Sequence, residues 1–250
     1  MKNIYFLSIL ILVLFVLILY IYLSFRLKSC FRRVFFHLKK RKYPSSQFNI
    51  KNKYNKHDSE GVISVSIFGD LNNKKYTGAL LNNKVYLPRN WYLRIYLTPK
   101  ATDNLISKLV EKDYEVYIMN EPSDGFTGTC WRFLPLYEGK QFLSIDADDI
   151  GKNNLFLNYF VPSPQLFDKW NRSKKPFIFF GSTACSTIMA GKWGSKYKYE
   201  KLTKELESYD LRKFGSDEIF LKQVIGPLAR EKGYIRLIKS MELKLFRSNF

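Results

Sequence analysis

The sequence predicts an α/β protein: a mostly parallel sheet flanked by helices and preceded by a single N-terminal transmembrane helix. Three observations lead to this prediction. Apolar strand-like segments alternate with amphipathic ones from residue 62 onward. A long apolar run lies near the N-terminus, and two aspartates, Asp146 and Asp148, directly follow one of the apolar segments.

The N-terminal run extends from Ile4 to Leu23, and Ser8 is its only residue that is neither apolar nor aromatic. A helix of that length spans roughly 30 Å, the thickness of the hydrocarbon core of a bilayer. A cleaved signal peptide is the alternative, but its apolar region is shorter and is followed by small residues. We therefore predict a membrane anchor over residues 1–25.

The net charge of +19 is concentrated beside this run, because residues 1–60 hold twelve Lys and Arg and two acidic residues, hence +10. Anionic lipid headgroups account for such a cluster. No recognisable nucleic-acid module accompanies it, so nucleic acid is not an expected partner. The basic residues follow the run, and the positive-inside rule then predicts a single-pass membrane protein whose folded domain is cytosolic. A lumenal folded domain is the alternative. Three cysteines make no disulfide framework.

Beyond the anchor, residues 26–61 are predicted to be a basic juxtamembrane segment and a polar linker, and residues 62–250 the folded domain. Periodicity of apolar residues defines the elements of that domain. The predicted strands are Val62–Phe68, Trp91–Leu97, Glu115–Met119, Gln141–Ile145 and Pro176–Phe180. The predicted helical segments are Lys75–Asn82, Thr102–Lys112, Thr129–Tyr137, Pro162–Lys169, Tyr199–Tyr209 and Glu218–Leu228.

Asp146 and Asp148 are predicted metal ligands. Two carboxylates one residue apart, at the carboxyl end of a buried strand, can share a divalent cation. Mg²⁺ and Mn²⁺ prefer oxygen ligands and commonly bind one or two carboxylates together with substrate phosphates. Asp70 follows another predicted strand. It is expected near the nucleotide whose phosphates the cation would bind, because ligands bind beyond the carboxyl ends of parallel strands. A solvated acidic turn is the alternative for the aspartate pair.

Arg132 lies in an otherwise apolar stretch, where a guanidinium needs an anion. It is predicted to contact the phosphates of a nucleotide-sugar donor. A structural salt bridge to Asp146 or Asp148 is an alternative of equal weight.

Two further segments carry predicted site residues. In Ala190–Gly194 the glycines allow close backbone approach, Lys192 is predicted to contact phosphate, and Trp193 to pack on a sugar face. A tight turn with a core Trp is the alternative. Asp217 opens a predicted helix and is by default a capping residue. It is also the predicted general base, because both histidines precede the folded domain.

Taken in order, six segments resemble a family of GT-A-fold glycosyltransferases of capsular and surface-glycan synthesis. The matching segments are Ile67–Asp70 with Lys75–Leu80, Trp91 with Arg94–Tyr96, Gly128–Leu134, Asp146–Asp148, Ala190–Gly194 and Gly215–Leu221. The resemblance implies a GT-A-like (Rossmann-like) fold, a UDP- or GDP-sugar donor, and Mn²⁺ or Mg²⁺ at the aspartate pair. It also implies sugar transfer to a hydroxyl of a glycan, glycolipid or glycoprotein.

The chain departs from the family pattern at Ile145 and Ile150, where members carry Arg, and at Gly181–Ser186, where they carry an Asp/His-rich segment. The leading hypothesis is a membrane-anchored, metal-dependent glycosyltransferase. The departures motivate a second hypothesis, a non-catalytic scaffold that binds sugar nucleotides or glycans. A basic adaptor at a membrane surface is the third.

Overall fold

The computed structural model describes residues 13–21, 37–41, 46–73, 75–82, 87, 89–150, 170–181 and 190–238. The chain divides into two compact units, Met1–Phe36 and His37–Phe250. In the first unit residues 13–21 are helical, and their side chains are exposed. The helix predicted at Pro162–Lys169 lies outside the described residues.

The prediction of a membrane-spanning protein is overturned. Of the run Ile4–Leu23, the structure describes residues 13–21, and the remainder lies outside the described residues. Across the ranges given above, no helix combines the length and the apolar character needed to cross a bilayer. The predicted single-pass membrane localisation is therefore wrong, and the predicted transmembrane helix has no support from these residues.

In the second unit, eight strands of the described chain form one sheet in the order β1-β4-β3-β2-β5-β7-β6-β8. The strands are β1 (Ile50–Tyr54), β2 (Gly61–Ile67), β3 (Trp91–Leu97), β4 (Glu115–Met119), β5 (Gln141–Ile145), β6 (Phe177–Gly181), β7 (Lys192–Ser195) and β8 (Tyr234–Ile238). Strands β2 to β5 pair in parallel, as do β6 and β8. Strand β1 is antiparallel to β4, and β7 is antiparallel to both β5 and β6. The predicted α/β architecture is thus present, with antiparallel strands added on either side of its parallel centre.

Helices and tight helical turns connect these strands. The α-helices are α1 (Thr77–Asn82), α2 (Asp103–Val110), α3 (Pro135–Glu138), α4 (Leu202–Glu207), α5 (Ser216–Phe220) and α6 (Gly226–Lys232). Short 3₁₀ segments lie at Ser46–Phe48, Thr127–Phe133 and Ala147–Asp149, and a π-helical turn at Leu221–Ile225. The single helix predicted over Glu218–Leu228 is therefore three consecutive pieces. Pro227 near the start of α6 has no N–H to continue the preceding hydrogen-bond ladder.

The central strands are buried on both faces of the sheet. Every residue of β2 is buried, as expected for a parallel strand covered on both sides. One face packs apolar side chains such as Ile63 and Leu93, and the other packs aromatic ones such as Trp131 and Phe142. The outer strand β1 is different, because four of its five residues are exposed. Its polar composition is why this stretch resembled a linker in the sequence.

Candidate functional site

The site lies at the carboxyl edge of the sheet, where the parallel strands β2 and β5 end side by side. Asp146 follows β5 with an extended backbone and precedes the 3₁₀ turn Ala147–Asp149. The backbone N–H of Asp149 donates to the carbonyl of Asp146 at 3.0 Å, which closes this turn. Asp146 and Asp148 are therefore presented by a short, hydrogen-bonded turn at the end of a buried strand.

The 3₁₀ helix Thr127–Phe133 positions Arg132. Trp131 is fully buried in the same helix, and its indole N–H donates to the carbonyl of Gln47 at 2.7 Å. Gly128 packs directly on Phe68, so that a side chain there would overlap the ring. These contacts fix the helix against the sheet, and they leave Arg132 directed at the end of β5.

Arg132 joins two acidic residues that are distant in sequence. Its guanidinium donates to the carboxylate of Asp146 and to the carbonyl of Ile145, the latter at 3.2 Å. Its second terminal nitrogen donates to Asp217 at 3.1 Å. The alternative interpretation of Arg132, a salt bridge to the aspartate pair, is thus what the structure shows, with Asp217 as an additional partner.

The charge of Arg132 is maintained by these partners. Burial disfavours the charged guanidinium, but the carboxylates of Asp146 and Asp217 outweigh burial and raise the pKa of Arg132. The same surroundings keep the neighbouring Cys130 neutral. Burial and the charge of Asp217 raise the pKa of its thiol well above the ordinary value. The group of two acids and one guanidinium carries a formal charge of −1.

Asp217 lies in the first turn of α5 and is buried. Gly215 precedes this helix in the left-handed region, with φ of 79°, which a side chain would strain. One carboxylate oxygen of Asp217 accepts from the backbone N–H of Glu218 at 3.0 Å, and the other accepts from Arg132. The residue predicted as the general base therefore faces the aspartate pair across a single guanidinium.

Gly191 lies against the carboxylate of Asp146. Strand β7 pairs antiparallel with β5, with Lys192 opposite Ile145, and this register brings Gly191 beside Asp146. A Cβ atom on Gly191 would lie within 2.7 Å of Oδ1 of Asp146 and closer still to Oδ2. The hydroxyl of Ser144 also donates to the carbonyl of Ala190 at 2.7 Å. Only glycine leaves room at this point for the Asp146 side chain.

Trp193 does not face the site. It is fully buried and packs edge-on against Phe133 and Phe142, and it stacks on Phe179. Its ring is part of the core, which corresponds to the alternative interpretation of this segment. Trp193 is therefore a core residue and not part of the site.

A second ion pair joins the turns after β2 and β5. The ammonium of Lys75 lies 2.9 Å from Oδ2 of Asp148, and the hydrogen bond and charge of Asp148 raise the pKa of Lys75. Asp70 is exposed in the turn after β2, where its carboxylate accepts from the backbone N–H of Asn72 at 2.9 Å. Lys192 is half-buried in β7, beside the end of β5. Asp70 and Lys192 thus lie at the same edge as the aspartate pair.

The donor set of this edge fits a hard divalent cation with few protein ligands. Within the described ranges, no three His, Cys, Asp or Glu side chains are grouped as a metal site. Asp146 and Asp148 would supply two oxygen ligands, and phosphate and water oxygens the others, which is the usual arrangement for Mg²⁺. The side chain of Asp146 is 46% exposed, and Gly191 leaves space beside it. A cation bound there would share these carboxylates with Arg132 and Lys75.

Comparison with known proteins does not assign a family. No known family matches the sequence, and a search of curated proteins gives no match either. Among solved structures, the chain is similar to the mannosyltransferase PcManGT from Pyrobaculum calidifontis in complex with GDP-Man and Mn²⁺. The TM-score is 0.43 and the sequence identity 10%, and the match covers 91% of this chain and 65% of that protein. A similarity of this size assigns neither a family nor an activity to the chain.

The sequence did not reveal the contacts of two residues of the site. In the sequence Lys75 is only the start of a segment that resembles the family, and its ion pair with Asp148 depends on how two loops meet. Gly191 was expected to approach a ligand, whereas the structure places it against a carboxylate of the protein itself. The contact of Gly191 follows from strand pairing and that of Lys75 from the approach of two loops, and no local sequence pattern encodes either.

Proposed function

We propose that this protein is a divalent-metal-dependent glycosyltransferase that moves a sugar from a nucleotide-sugar donor to a hydroxyl of an acceptor. The observation that carries the proposal is the bridge made by Arg132 between Asp146 and Asp217. Through this bridge, the aspartate pair, which can bind a cation and its phosphates, lies near the buried carboxylate of Asp217. That carboxylate can accept a hydrogen bond from an acceptor hydroxyl.

Each residue has a defined role in this proposal. Asp146 and Asp148 would hold Mn²⁺ or Mg²⁺, which when bound neutralises charge on the departing diphosphate. Lys192 would contact the donor phosphates, and Asp70 would lie beside the nucleotide. Arg132 holds the two carboxylates in place and offers positive charge next to the phosphates.

Asp217 would act on the acceptor. The bond between the anomeric carbon and the phosphate oxygen breaks, and a bond to the acceptor oxygen forms. Asp217 would position the acceptor hydroxyl or take its proton, since its carboxylate lies at the start of α5 facing the aspartate pair. A base of this kind must reach the hydroxyl within hydrogen-bonding distance.

A second candidate function is supported by the ion pairs themselves. Asp146 is bound to Arg132 and Asp148 to Lys75, so that each predicted metal ligand already has a cationic partner in the protein. Together with Ile145 and Ile150 at positions where the family carries Arg, this arrangement favours a scaffold that binds sugar nucleotides without turnover.

Donor hydrolysis separates the two functions. We would measure nucleotide release from a panel of UDP- and GDP-sugars, with and without Mn²⁺, for the wild type and for Asp146→Asn and Asp148→Asn. The enzyme hypothesis predicts Mn²⁺-stimulated release that falls on the order of 100-fold in both variants. Asp113→Asn is the matched control, because Asp113 has φ of 62°, which Asn tolerates, and it lies before β4 at the opposite edge of the sheet.

Two results would decide against the proposed enzyme with its site at Asp146 and Asp148. Equal release by the wild type and both variants would show that the site is wrong. Binding of UDP or GDP detected by a thermal shift, without turnover of any donor in the panel, would favour the scaffold.

A further inference from the structure

Two phenylalanine rings are exposed side by side at the same edge of the sheet as the aspartate pair. Phe214 is 71% exposed and Phe126 is 38% exposed. Their centroids are 5.4 Å apart and the rings are nearly perpendicular. We propose that this pair, called here the aromatic platform, binds a sugar ring of the acceptor. This inference rests on the proposed function, since it assigns the acceptor of that reaction.

The chain attaches the platform to the two elements that build the site. Phe126 immediately precedes the 3₁₀ helix Thr127–Phe133 that carries Arg132. Phe214 precedes Gly215, where α5 begins with Asp217 in its first turn. Because Arg132 and Asp217 are hydrogen-bonded at 3.1 Å, the elements that follow the two rings converge on one point.

Backbone contacts between the two loops and within one of them fix the platform. The backbone N–H of Phe126 donates to the carbonyl of Arg212 at 3.1 Å. Gly125 packs so closely on Arg212 that a side chain there would overlap its backbone, and Gly125 itself has φ of 60°. The hydroxyl of Thr127 donates to the carbonyl of Asp124 at 2.7 Å. Backbone contacts therefore hold the two rings in place, so that the surface is preorganised for a ligand.

The surroundings of the platform suit a sugar. A pyranose presents C–H groups on one face, which pack on the negative face of an aromatic ring, and hydroxyls at its rim. Charged groups border the two rings: Arg212 lies between Asp210, at 2.8 Å, and Asp124, at 3.7 Å, and Arg41 also binds Asp124. A lipid chain would require a longer continuous apolar surface than two rings provide.

The distance from the platform to Asp217 sets the size of the acceptor. Phe214 and Asp217 are three positions apart in the chain, and a segment of that length spans at most about 10 Å. Around Gly215 the space is open, since no heavy atom lies within 4 Å of the position of a Cβ atom. A sugar stacked on Phe214 is therefore the one that carries the reacting hydroxyl or its immediate neighbour.

Ligand-observed NMR tests this assignment without a donor. Saturation transfer would be measured from the full chain to methyl glycosides of glucose, galactose, mannose and N-acetylglucosamine, and to lactose and cellobiose. We expect at least one to bind the wild type, with the strongest transfer to protons of one ring face. Phe214→Ala and Phe126→Ala should each weaken binding at least fivefold.

Two further variants make the test specific. Phe214→Leu keeps an apolar side chain but removes the flat ring, and it should weaken binding as much as Phe214→Ala. Tyr137→Ala is the matched control, because Tyr137 is 45% exposed on α3, which precedes β5 at the opposite edge. It should bind like the wild type.

Several outcomes would overturn the inference: no glycoside binds the wild type, Phe214→Leu retains full binding, or Tyr137→Ala loses as much as the platform variants. Asp146→Asn should keep glycoside binding even though it lowers donor hydrolysis on the order of 100-fold. Failure of the platform and failure of the catalytic site are thereby seen in separate measurements.

Discussion

The guanidinium of Arg132 and the carboxylate of Asp217 lie 3.1 Å apart although the two residues are 85 positions apart in the chain. Arg132 also binds Asp146, so one buried guanidinium compensates two acidic side chains. Removing the guanidinium would leave the largely buried carboxylate of Asp217 without its charged partner, and this defines the first prediction.

Arg132→Met should lower the free energy of unfolding by about 3–5 kcal/mol, the usual cost of leaving a buried charge unpaired. Urea denaturation monitored by circular dichroism measures this change. Arg132→Lys should recover only part of the loss, because an ammonium lacks the planar fork that serves two carboxylates.

A double-mutant cycle serves as the control for Arg132. In Arg132→Met/Asp217→Asn the buried charge is removed together with its partner. The double variant should therefore be more stable than the sum of the single effects predicts, by about 1–3 kcal/mol. Strict additivity would mean that the two residues do not interact in solution.

Gly191→Ala should displace the Asp146 carboxylate, because the new methyl group occupies the space of that side chain. We expect donor hydrolysis to fall at least tenfold. Gly233→Ala is a matched control: Gly233 has φ of 92° and ends α6, so alanine there strains the backbone away from the site. It should lower the melting temperature and leave hydrolysis unchanged. Full activity of Gly191→Ala would contradict the observed packing.

Lys75→Met should strengthen divalent-cation binding several-fold. The ammonium of Lys75 occupies one oxygen of Asp148, and its removal eliminates a competing positive charge. Titration with Mn²⁺ followed by electron paramagnetic resonance measures free and bound cation directly. The melting temperature should hardly change, since exposed ion pairs contribute little to stability. Weaker cation binding in this variant would argue that Lys75 assists the site.

Cys130 should be unreactive in the folded protein. Burial raises the pKa of its thiol well above the ordinary value, and the reactive thiolate is therefore scarce at neutral pH. In a Cys30→Ser/Cys185→Ser variant, the thiol reagent DTNB at pH 8 should react only after addition of denaturant. Rapid reaction under native conditions would show that the 3₁₀ helix of Arg132 opens readily.

The central strands were predictable because they are buried on both faces. The observed bounds of β3, β4 and β5 coincide with the predicted segments Trp91–Leu97, Glu115–Met119 and Gln141–Ile145. Continuous burial produces continuous apolar runs, which a sequence displays directly. Strand β1 is an exposed edge of Lys and Asn residues, and β7 is four residues long with a glycine. These two strands form because of the strands with which they pair, and their own sequences do not predict them.

The same distinction applies to the site. The apolar segment before Asp146 predicts that this residue ends a strand. No such pattern predicts the contact of Arg132 with Asp217, because it depends on how α5 packs beside the 3₁₀ helix. The sequence left the burial of Trp193 open as one of two interpretations, since an aromatic residue beside a glycine suits a ligand face as well as a core.

The antiparallel pairing of β7 with β5 has an evolutionary consequence. Backbone hydrogen bonds, counted from Ile145 opposite Lys192, determine which residue faces Asp146. A shift of one position in this pairing would replace Gly191 by a residue with a side chain beside Asp146. Homologues should consequently keep a glycine at this one point of the ladder.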